Sequence, residues 1–422
     1  MKILFVIFHG FDPNNGISKK ISYQLDAFKA LGHETHICYL DENFSKQRKI
    51  DNTIIADYGT GIIGKIKKRI EFSSIAQYAI KNSIDLVYIR SNHNANFFTI
   101  KLVKDMKKAG IKVVMEIPTY PYDQEYGNLW FKRQILQDKL FRYKFAKQLD
   151  AIVTFSDDDY IFGQHTIRIS NAIDFRYVKQ KQVINDTSKE LNLIGVAEIH
   201  NWHGFDRVIK GLAIYYSVPR DYKVYFHVVG YFFSKEIENN FISLINNCKV
   251  NDYIILYGKK HGKELDEIFE KCDFGIGSLG RHRVGIERMK TLKNREYAAR
   301  GIPFIYSESD NDFDNKPYVF KAPADDSPTS IKDIIDFYRT VKDTPDEIRK
   351  SIEDLSWKNQ MKTVLDEMFP KCFLCQRGGI LPCTVHVLFA PLSILEYRLH
   401  DAVCHVGVVV VRALDDLGPV KE

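Results

Sequence analysis

The sequence predicts an α/β fold made of two doubly wound units that follow one another along the chain. Its 422 residues suffice for two or three domains. Short apolar runs alternate with helical patterns up to about residue 369, and a polar stretch at 176–189 separates two such series. We expect a first domain over residues 1–175, a second over 190–355 and a helix over 356–369.

The first unit opens with a strand. Residues 3–8 form an unbroken apolar run, which is typical of a strand buried on both faces of a parallel sheet. A helical pattern from Ile17 to Leu31 follows, and Gly16 stands directly before it, where backbone N–H groups and the helix dipole can bind a phosphate. The other predicted elements are strands at 34–40, 86–88, 112–116 and 150–154 and a helix at 97–109.

The second unit begins at Leu191 and repeats the alternation. Its predicted strands lie at 193–196, 224–229 and 253–256, and its predicted helices at 205–216, 236–246, 263–271, 331–339 and 346–355. The last helix, at 356–369, has apolar residues at helical spacing. It is therefore expected to bury one face.

The stretch 275–307 reads as strand, loop, helix and strand. A basic loop containing Arg281 and Arg283 leads into a predicted helix from Glu287 to Arg300, which ends at Gly301 before a proline. On that helix Lys293, Glu296 and Arg300 are three and four residues apart and share one face. That face is either a solvated, salt-bridged surface or part of a ligand site, because open α/β sheets bind ligands at the carboxyl ends of their strands.

A polar and aromatic loop follows the predicted strand at 112–116. It contains Tyr120, Tyr122 and Asp123 together with two prolines. These side chains are candidates for a rigid platform that holds an acceptor sugar. The alternative is a packed Tyr/Pro corner without a binding role.

The composition indicates an ordinary globular protein of the reduced cytoplasm. The net charge of +6 fits an anionic ligand or an anionic membrane surface and does not demand nucleic acid. The N-terminus reads as a buried strand and not as a signal peptide, and no run reaches the ~18 apolar residues of a membrane span. Three of the seven cysteines are scattered through the body of the chain, which argues against a disulfide framework.

The composition changes abruptly at residue 370. The segment 370–422 holds the other four cysteines, and the pairs Cys372/Cys375 and Cys383/His386 have the spacing of zinc ligands. The predicted fold is complete before this segment. We interpret the segment as foreign to the domain, such as a fusion or read-through product, and expect no metal in the functional site.

The residues from Glu296 to Pro303 resemble the Glu-x-x-Ala-x-Gly-x-Pro segment of retaining glycosyltransferases of the GT-B class, family 4. The resemblance implies two Rossmann-like domains that face a cleft, with the C-terminal helix crossing back to the first domain. It also implies that Glu296 holds the ribose of a nucleotide-sugar donor and that the reaction needs no metal and no other cofactor.

The same resemblance places further donor-binding residues. Asn15 and Gly16 would face the donor diphosphate, and Gly230 would lie near the nucleobase. His203 stands where the family usually has a lysine that neutralises the phosphate. We expect Lys293, or Arg281 and Arg283, to supply the missing positive charge. Among these residues, Arg283 and Lys293 are assigned to catalysis.

The family's first acidic residue should stand eight positions before Glu296, where this chain has Arg288. Glu287, one position earlier, is the available acid and the predicted contact to the donor sugar. If both positions lie on a helix, the offset turns the carboxylate by about 100°. A catalytically inactive relative of this family therefore remains an alternative interpretation of the chain.

The sequence thus predicts a transferase that moves a sugar from a nucleoside-diphosphate sugar to a glycan or a lipid-linked acceptor, in cell-surface polysaccharide synthesis. A nucleotide-sugar epimerase and an inactive nucleotide-sugar-binding protein are the alternatives. Apolar and basic residues alternate irregularly in the stretches 62–72 and 129–147. This pattern is typical of helices that lie on anionic membranes, and core helices with a basic outer face have the same pattern. The protein is accordingly expected in the cytoplasm, with contact to the inner face of the membrane as one interpretation.

Overall fold

The computed structural model describes residues 1–12, 16–123 and 129–370, without the side chains of 16 and 129–132. Its fold is α/β with two sheets, as the sequence predicts. The first sheet has nine strands in the order β4-β3-β2-β1-β5-β6-β7-β9-β8, and the second has six in the order β12-β11-β10-β13-β14-β15. The strands of the first are β1 (Lys2–Val6), β2 (Glu34–Asp41), β3 (Gln47–Ile50), β4 (Thr53–Asp57), β5 (Leu86–Arg90), β6 (Lys112–Ile117), β7 (Ala151–Thr154), β8 (Tyr160–Ile161) and β9 (Gln164–Arg168).

The first sheet is parallel at its centre, and antiparallel pairs close both of its edges. Strands β3 and β4 pair antiparallel at one edge, and β8 pairs antiparallel with β9 at the other. The helices of this half are α1 (Gly16–Ala30), α2 (Gly61–Ile70), α3 (Ser73–Lys81), α4 (Phe97–Lys108) and α5 (Leu129–Ala146). The central strand β5 is buried along its whole length, which explains its unbroken apolar sequence.

All neighbouring strands of the second sheet pair in parallel. Its strands are β10 (Glu190–Ile199), β11 (Lys223–Phe232), β12 (Ile254–Gly258), β13 (Phe274–Ile276), β14 (Phe304–Tyr306) and β15 (Val319–Lys321). Its helices are α6 (Phe205–Tyr215), α7 (Lys235–Cys248), α8 (Lys263–Lys271), α9 (Leu292–Arg300), α10 (Ile331–Thr340) and α11 (Pro345–Lys350). The strand order reverses between β10 and β13, and such a switch point opens a crevice at the carboxyl ends of the strands.

The last described helix, α12 (Trp357–Met368), crosses back to the first domain as predicted. Its buried residues Trp357, Met361 and Val364 belong to the core that contains Ile21 and Phe28 of α1. Ser356 caps the helix by accepting a hydrogen bond from the N–H of Asn359. The helix therefore joins the two halves through an apolar interface.

The helix predicted from Glu287 begins only at Leu292. Residues before it are extended because they pair with the chain that follows β14. Ser309 donates from its N–H to the carbonyl of Glu287 (2.7 Å), and Met289 donates to the carbonyl of Ser309 (2.9 Å). The predicted helix at 346–355 is likewise interrupted, since α11 ends at Lys350 and a short 3₁₀ helix follows.

The proposed zinc pairs in 370–422 lie outside the described residues. Within the described part of the chain, no three His, Cys, Asp or Glu side chains are grouped in a way that would hold a metal ion. None of the helices described is both long and apolar enough to cross a bilayer.

Candidate functional site

Two loops meet at the switch point of the second sheet. The loop after β13 donates from the N–H of Leu279 to the carbonyl of His203 (3.0 Å) and from Gly280 to Trp202 (3.2 Å), both in the loop after β10. Gly204 has a φ of 65°, and a Cβ there would lie 2.7 Å from the backbone of Leu279. Only glycine allows the two loops to approach this closely.

Two cations lie beside these loops, Lys293 near the ring of Phe205 and Arg281 near the ring of Trp202. Lys293 lies in the first turn of α9, and Arg281 opens the short 3₁₀ helix after β13. The Nζ of Lys293 and the Nε of Arg281 are buried and have no hydrogen-bond partner among the described residues. Burial, with a smaller contribution from the charge of Arg281, lowers the pKa of Lys293 to about 7, although Glu308 acts in the opposite direction. Buried donors without partners are rare in folded proteins and indicate a place for a polar ligand.

Glu308, which the sequence analysis missed, faces the same cluster. Its side chain is 2% exposed, and neither carboxylate oxygen has a hydrogen-bond partner in the described part of the chain. Burial raises the pKa of Glu308 to about 7, although Arg281 and Lys293 act in the opposite direction. The only sequence signal was its position directly after β14, at the carboxyl edge of the sheet.

His203 lies beside these cations in its neutral form. Its Nδ1 accepts a hydrogen bond from the N–H of His200 (3.0 Å), which assigns the ring proton to Nε2. Burial lowers the pKa of His203 far below its ordinary value, and the charges of Lys293 and Arg281 add to this effect. The ring can therefore donate one hydrogen bond from Nε2 but carries no charge of its own.

Arg283 is bound within the protein. Its guanidinium pairs with Asp206 (2.8 and 3.0 Å) and Asp326 (2.7 Å) and donates to the carbonyl of Asn201 (2.8 Å). These contacts hold the loop after β13 against α6. The catalytic assignment of Arg283 stays a prediction, and its charge is already balanced by two carboxylates.

Glu296 and Arg300 form the ion pair that their spacing predicts. Oε1 of Glu296 accepts from Nε (3.1 Å) and Nη2 (2.9 Å) of Arg300, which also binds Asp266 (2.8 Å). Lys293 takes no part in this pair. Oε2 of Glu296 has no hydrogen-bond partner among the described residues, and its charge contributes to the raised pKa of Tyr23 on α1. The carboxylate thus lies near the first domain with one oxygen available.

A cavity of about 500 Å³ lies at the carboxyl ends of β10, β11 and β12. Gly230 lines it with a φ of 135°, and a Cβ there would lie 1.6 Å from the carbonyl oxygen of Ala197. Ile199, Phe232 and Phe233 provide apolar walls. Such a slot with exposed backbone suits a flat heterocycle.

A second cavity of about 440 Å³ adjoins the cation cluster through Glu308. Glu287 lines it from the extended segment before α9, so the helical rotation expected for its carboxylate does not apply. Ser307, Ser309 and Lys321 complete much of the wall. With Asp314, the cavity therefore joins three carboxylates to hydroxyl groups, a lining suited to a polyhydroxylated ligand.

The predicted acceptor residues form the packed corner that the sequence left as an alternative. Tyr122 is 2% exposed and donates its hydroxyl to Asp138 on α5 (2.6 Å). Asp123 pairs with Arg142 (2.7 Å), and the ring of Tyr120 packs at the edge of Phe162. The acceptor role of Tyr120, Tyr122 and Asp123 stays a prediction.

The amino end of α1 faces the joint between the two halves. Asn15 lies outside the described residues, and Gly16 is the first residue of the helix. Lys20, one turn later, donates from Nζ to the side chain of Asn171 (2.9 Å). Burial lowers the pKa of Lys20 to about 7, and the nearby carboxylate of Glu116 opposes this shift.

No protein-family model and no curated protein sequence matches the chain. Among solved structures, the chain is similar to sucrose-phosphate synthase from Thermosynechococcus elongatus, with a TM-score of 0.59 at 11% identity over 87% of this chain and 99% of that one. The trehalose-6-phosphate structure from E. coli, bound with UDP-2-fluoro glucose, has a TM-score of 0.57 at 12% identity. The match covers 87% of this chain and 99% of that one. The chain has the GT-B fold.

The catalytic domain of starch synthase IV from Arabidopsis thaliana, bound to ADP and acarbose, is a third structure of the same GT-B architecture. Its TM-score is 0.56 at 12% identity, over 87% of this chain and 98% of that one. At these identities the comparison establishes the fold of the 87% of the chain that is matched and leaves the activity to be argued from the site.

Proposed function

We propose that this GT-B chain is a retaining glycosyltransferase, of the family 4 type, that uses a nucleoside-diphosphate sugar. The observation that carries the proposal is a pair of buried nitrogen atoms at the switch point of the second sheet, Nζ of Lys293 and Nε of Arg281, that have no hydrogen-bond partner among the described residues. A diphosphate would supply the acceptors that both nitrogen atoms lack. Proteins of the same fold bind UDP-2-fluoro glucose and ADP, which supports a nucleotide in this crevice.

The rest of the donor fits the neighbouring features. The nucleobase would enter the cavity at Gly230, and Oε2 of Glu296 would accept from the ribose. The sugar would occupy the cavity lined by Glu287 and Glu308. When the bond from the anomeric carbon to the diphosphate breaks, Arg281, Lys293 and the Nε2–H of His203 stabilise the negative charge of the leaving group.

The acceptor would approach from the first domain, and its hydroxyl oxygen would bond to the anomeric carbon on the face that the diphosphate leaves, while the hydroxyl proton passes to the departing phosphate oxygen. A glycan or a lipid-linked acceptor in cell-surface polysaccharide synthesis is our proposal for its class. The exposed Arg288 at the position of the family acid favours one alternative, an inactive relative that binds the donor without turnover. Product analysis distinguishes both the active transferase and the inactive relative from an epimerase, which would return an altered nucleotide sugar without an acceptor.

A thermal-shift panel of UDP, GDP, ADP, CMP and their sugars, run with EDTA on the full chain, tests the donor site. We expect one nucleotide to raise the free energy of unfolding by about 2.7 kcal/mol at a concentration one hundred times its Kd. Glu296→Ala should remove much of this shift, and Glu267→Ala, on the exposed face of α8, should not. If no nucleotide shifts a folded protein, the proposed function is wrong.

The affinity for a nucleotide sugar is expected to fall as the pH rises through about 7. Diphosphate binding favours the charged ammonium of Lys293 and the neutral carboxyl of Glu308, and both groups have a pKa of about 7 in the free protein. The complex therefore binds more protons than the free protein, and Kd should rise by up to about tenfold per pH unit for each proton taken up.

Calorimetry in buffers of different ionisation enthalpy would measure this proton uptake between pH 6 and 8.5. A nucleotide sugar is the suitable ligand because its phosphates stay ionised over this range. The Lys293→Arg variant keeps its positive charge over this pH range. It should therefore weaken the pH dependence of Kd and leave only the part that Glu308 contributes. Proton release on binding to the native protein would contradict the assignment.

A further inference from the structure

Helix α2 carries an apolar strip that the fold leaves uncovered. Ile62, Ile63, Ile66 and Ile70 expose 75%, 68%, 53% and 40% of their surfaces. At about 100° per residue the four side chains fall within an arc of about 100°, so they form one continuous strip. By contrast, the next helix, α3, buries Ile75, Ala76 and Ala79 as a surface helix usually does, and exposes a single isoleucine, Ile80.

The strip points away from the protein body. Gly64 is the buried residue of α2, and a Cβ there would lie 2.5 Å from the carbonyl oxygen of Gly59. On the helical wheel Gly64 lies about 150° from the centre of the isoleucine strip. The side of α2 that packs on the protein is thus nearly opposite the apolar one, the reverse of what a helix covering a core requires.

The charged residues within α2 are all cations, and the acidic Glu71 follows the helix as its C-cap. The helix contains Lys65, Lys67, Lys68 and Arg69 and no acidic residue. Lys68, on the side away from the isoleucines, pairs with Glu42. That ion pair holds α2 beside the turn between β2 and β3, where Phe44 is 97% exposed. An apolar surface rimmed by positive charge is complementary to an anionic bilayer.

Helix α5 belongs to the other stretch in which the sequence interleaves apolar and basic residues. Its cations differ from those of α2 in their ion-pair partners. It exposes Leu136 and Leu140, but its cations Lys139 and Arg142 both pair with Asp123. These two basic residues of α5 therefore serve the internal corner described above. The structure separates two stretches that looked alike in sequence.

We propose that α2 forms a membrane-docking surface, in which the isoleucines enter the acyl boundary of an anionic bilayer while the lysines meet lipid phosphates. A second copy of the chain is a poorer occupant, because a two-fold interface would set the cations of α2 against the same cations of its partner. The inference does not depend on the transfer reaction.

Co-sedimentation of the full chain with vesicles tests the surface. We expect binding to phosphatidylcholine vesicles that contain phosphatidylglycerol, and much weaker binding to phosphatidylcholine alone. Ile62→Ser/Ile66→Ser should raise the apparent Kd at least tenfold, since each buried isoleucine contributes substantially to apolar transfer. The matched control is Ile214→Ser/Val218→Ser, at two residues of similar exposure near the end of α6, and it should bind as the native chain does.

Circular dichroism and sedimentation velocity on the same samples check the fold and the oligomeric state. Equal binding of the native chain to both kinds of vesicle, or equal binding by the α2 variant, would overturn the proposal. A native dimer that fails to bind vesicles and becomes monomeric in the α2 variant would overturn it too, and would assign the face to a second copy.

Discussion

Lys293→Met is expected to abolish nucleotide-sugar binding and, at the same time, to raise the Tm of the unliganded protein. The ammonium group is buried without a hydrogen-bond partner among the described residues, and burial lowers its pKa to about 7. Methionine has a similar shape and needs no partner. Removing the unsatisfied group should add about 1–3 kcal/mol to the free energy of unfolding at pH 7.

The loss of function should be large because the same group would neutralise the leaving diphosphate. We expect kcat/KM to fall by about 10²–10³, the usual effect of removing one preorganised donor. The gain in stability has its own pH dependence. The pKa of Lys293 is lowered in the folded state, so the native protein is penalised most below pH 7, and the penalty disappears as the pH rises towards the unfolded value near 10.5.

Calorimetric binding and thermal melts of the two proteins at pH 7 and pH 10 would measure both effects. Lys332→Met is the matched control, since that side chain on α10 is 76% exposed and pairs only with Asp336 in the next turn. A variant that binds nucleotide normally, or that melts well below the native protein at pH 7, would show that Lys293 has a structural role and is not held for a ligand.

Arg295→Met is expected to lower the free energy of unfolding by about 3–5 kcal/mol. Arg295 is fully buried and pairs with Asp310 through both Nη atoms (2.5 and 3.1 Å), and Asp310 is itself 1% exposed. It also donates to the carbonyl of Asn171 (2.6 Å) and the hydroxyl of Ser170 (2.8 Å), in the segment that leaves the first domain. The variant leaves Asp310 as a buried carboxylate without its cation.

Chemical denaturation of the native and variant proteins measures this effect. Arg168→Met, an exposed position with a single ion pair to Asp159, should change stability by less than about 0.5 kcal/mol. In the double variant Arg295→Met/Asp310→Asn part of the loss should be recovered, because the buried negative charge is gone. If Arg295→Met lowers the free energy of unfolding by less than 1 kcal/mol, the contacts of Arg295 do not contribute to stability as predicted.

Most of the fold could be predicted because its signals are local. Gly301 ends α9 with a φ of 79°, and the apolar runs of β5 and β10 correspond to buried strands. The start of α9 could not be predicted, since the extended form of the preceding residues depends on Ser309, on the far side of β14. The same limit explains why β3 and β4 went unpredicted, since their pairing is a tertiary property.

The candidate site was only partly predictable. Lys293, Arg281 and His203 lie close together because the loops after β10 and β13 meet at the switch point and α9 follows the second of them, and their roles stay predictions. Glu308 was missed, since nothing in a polar loop marks which carboxylate will be buried. Arg283 looked equivalent to Arg281 in sequence, yet Asp206 and Asp326 neutralise it.

By itself the sequence determined the α/β alternation, the apolar face of the last helix and the strand ends at which a site can form. Periodicity, capping and strand composition act within a few residues, so they are legible in a single chain. The tertiary structure alone decided which charges are paired and which are left for a ligand, and which face of α2 is uncovered. Burial and ion pairing depend on residues far apart in the chain, and these contacts exist only after the chain has folded.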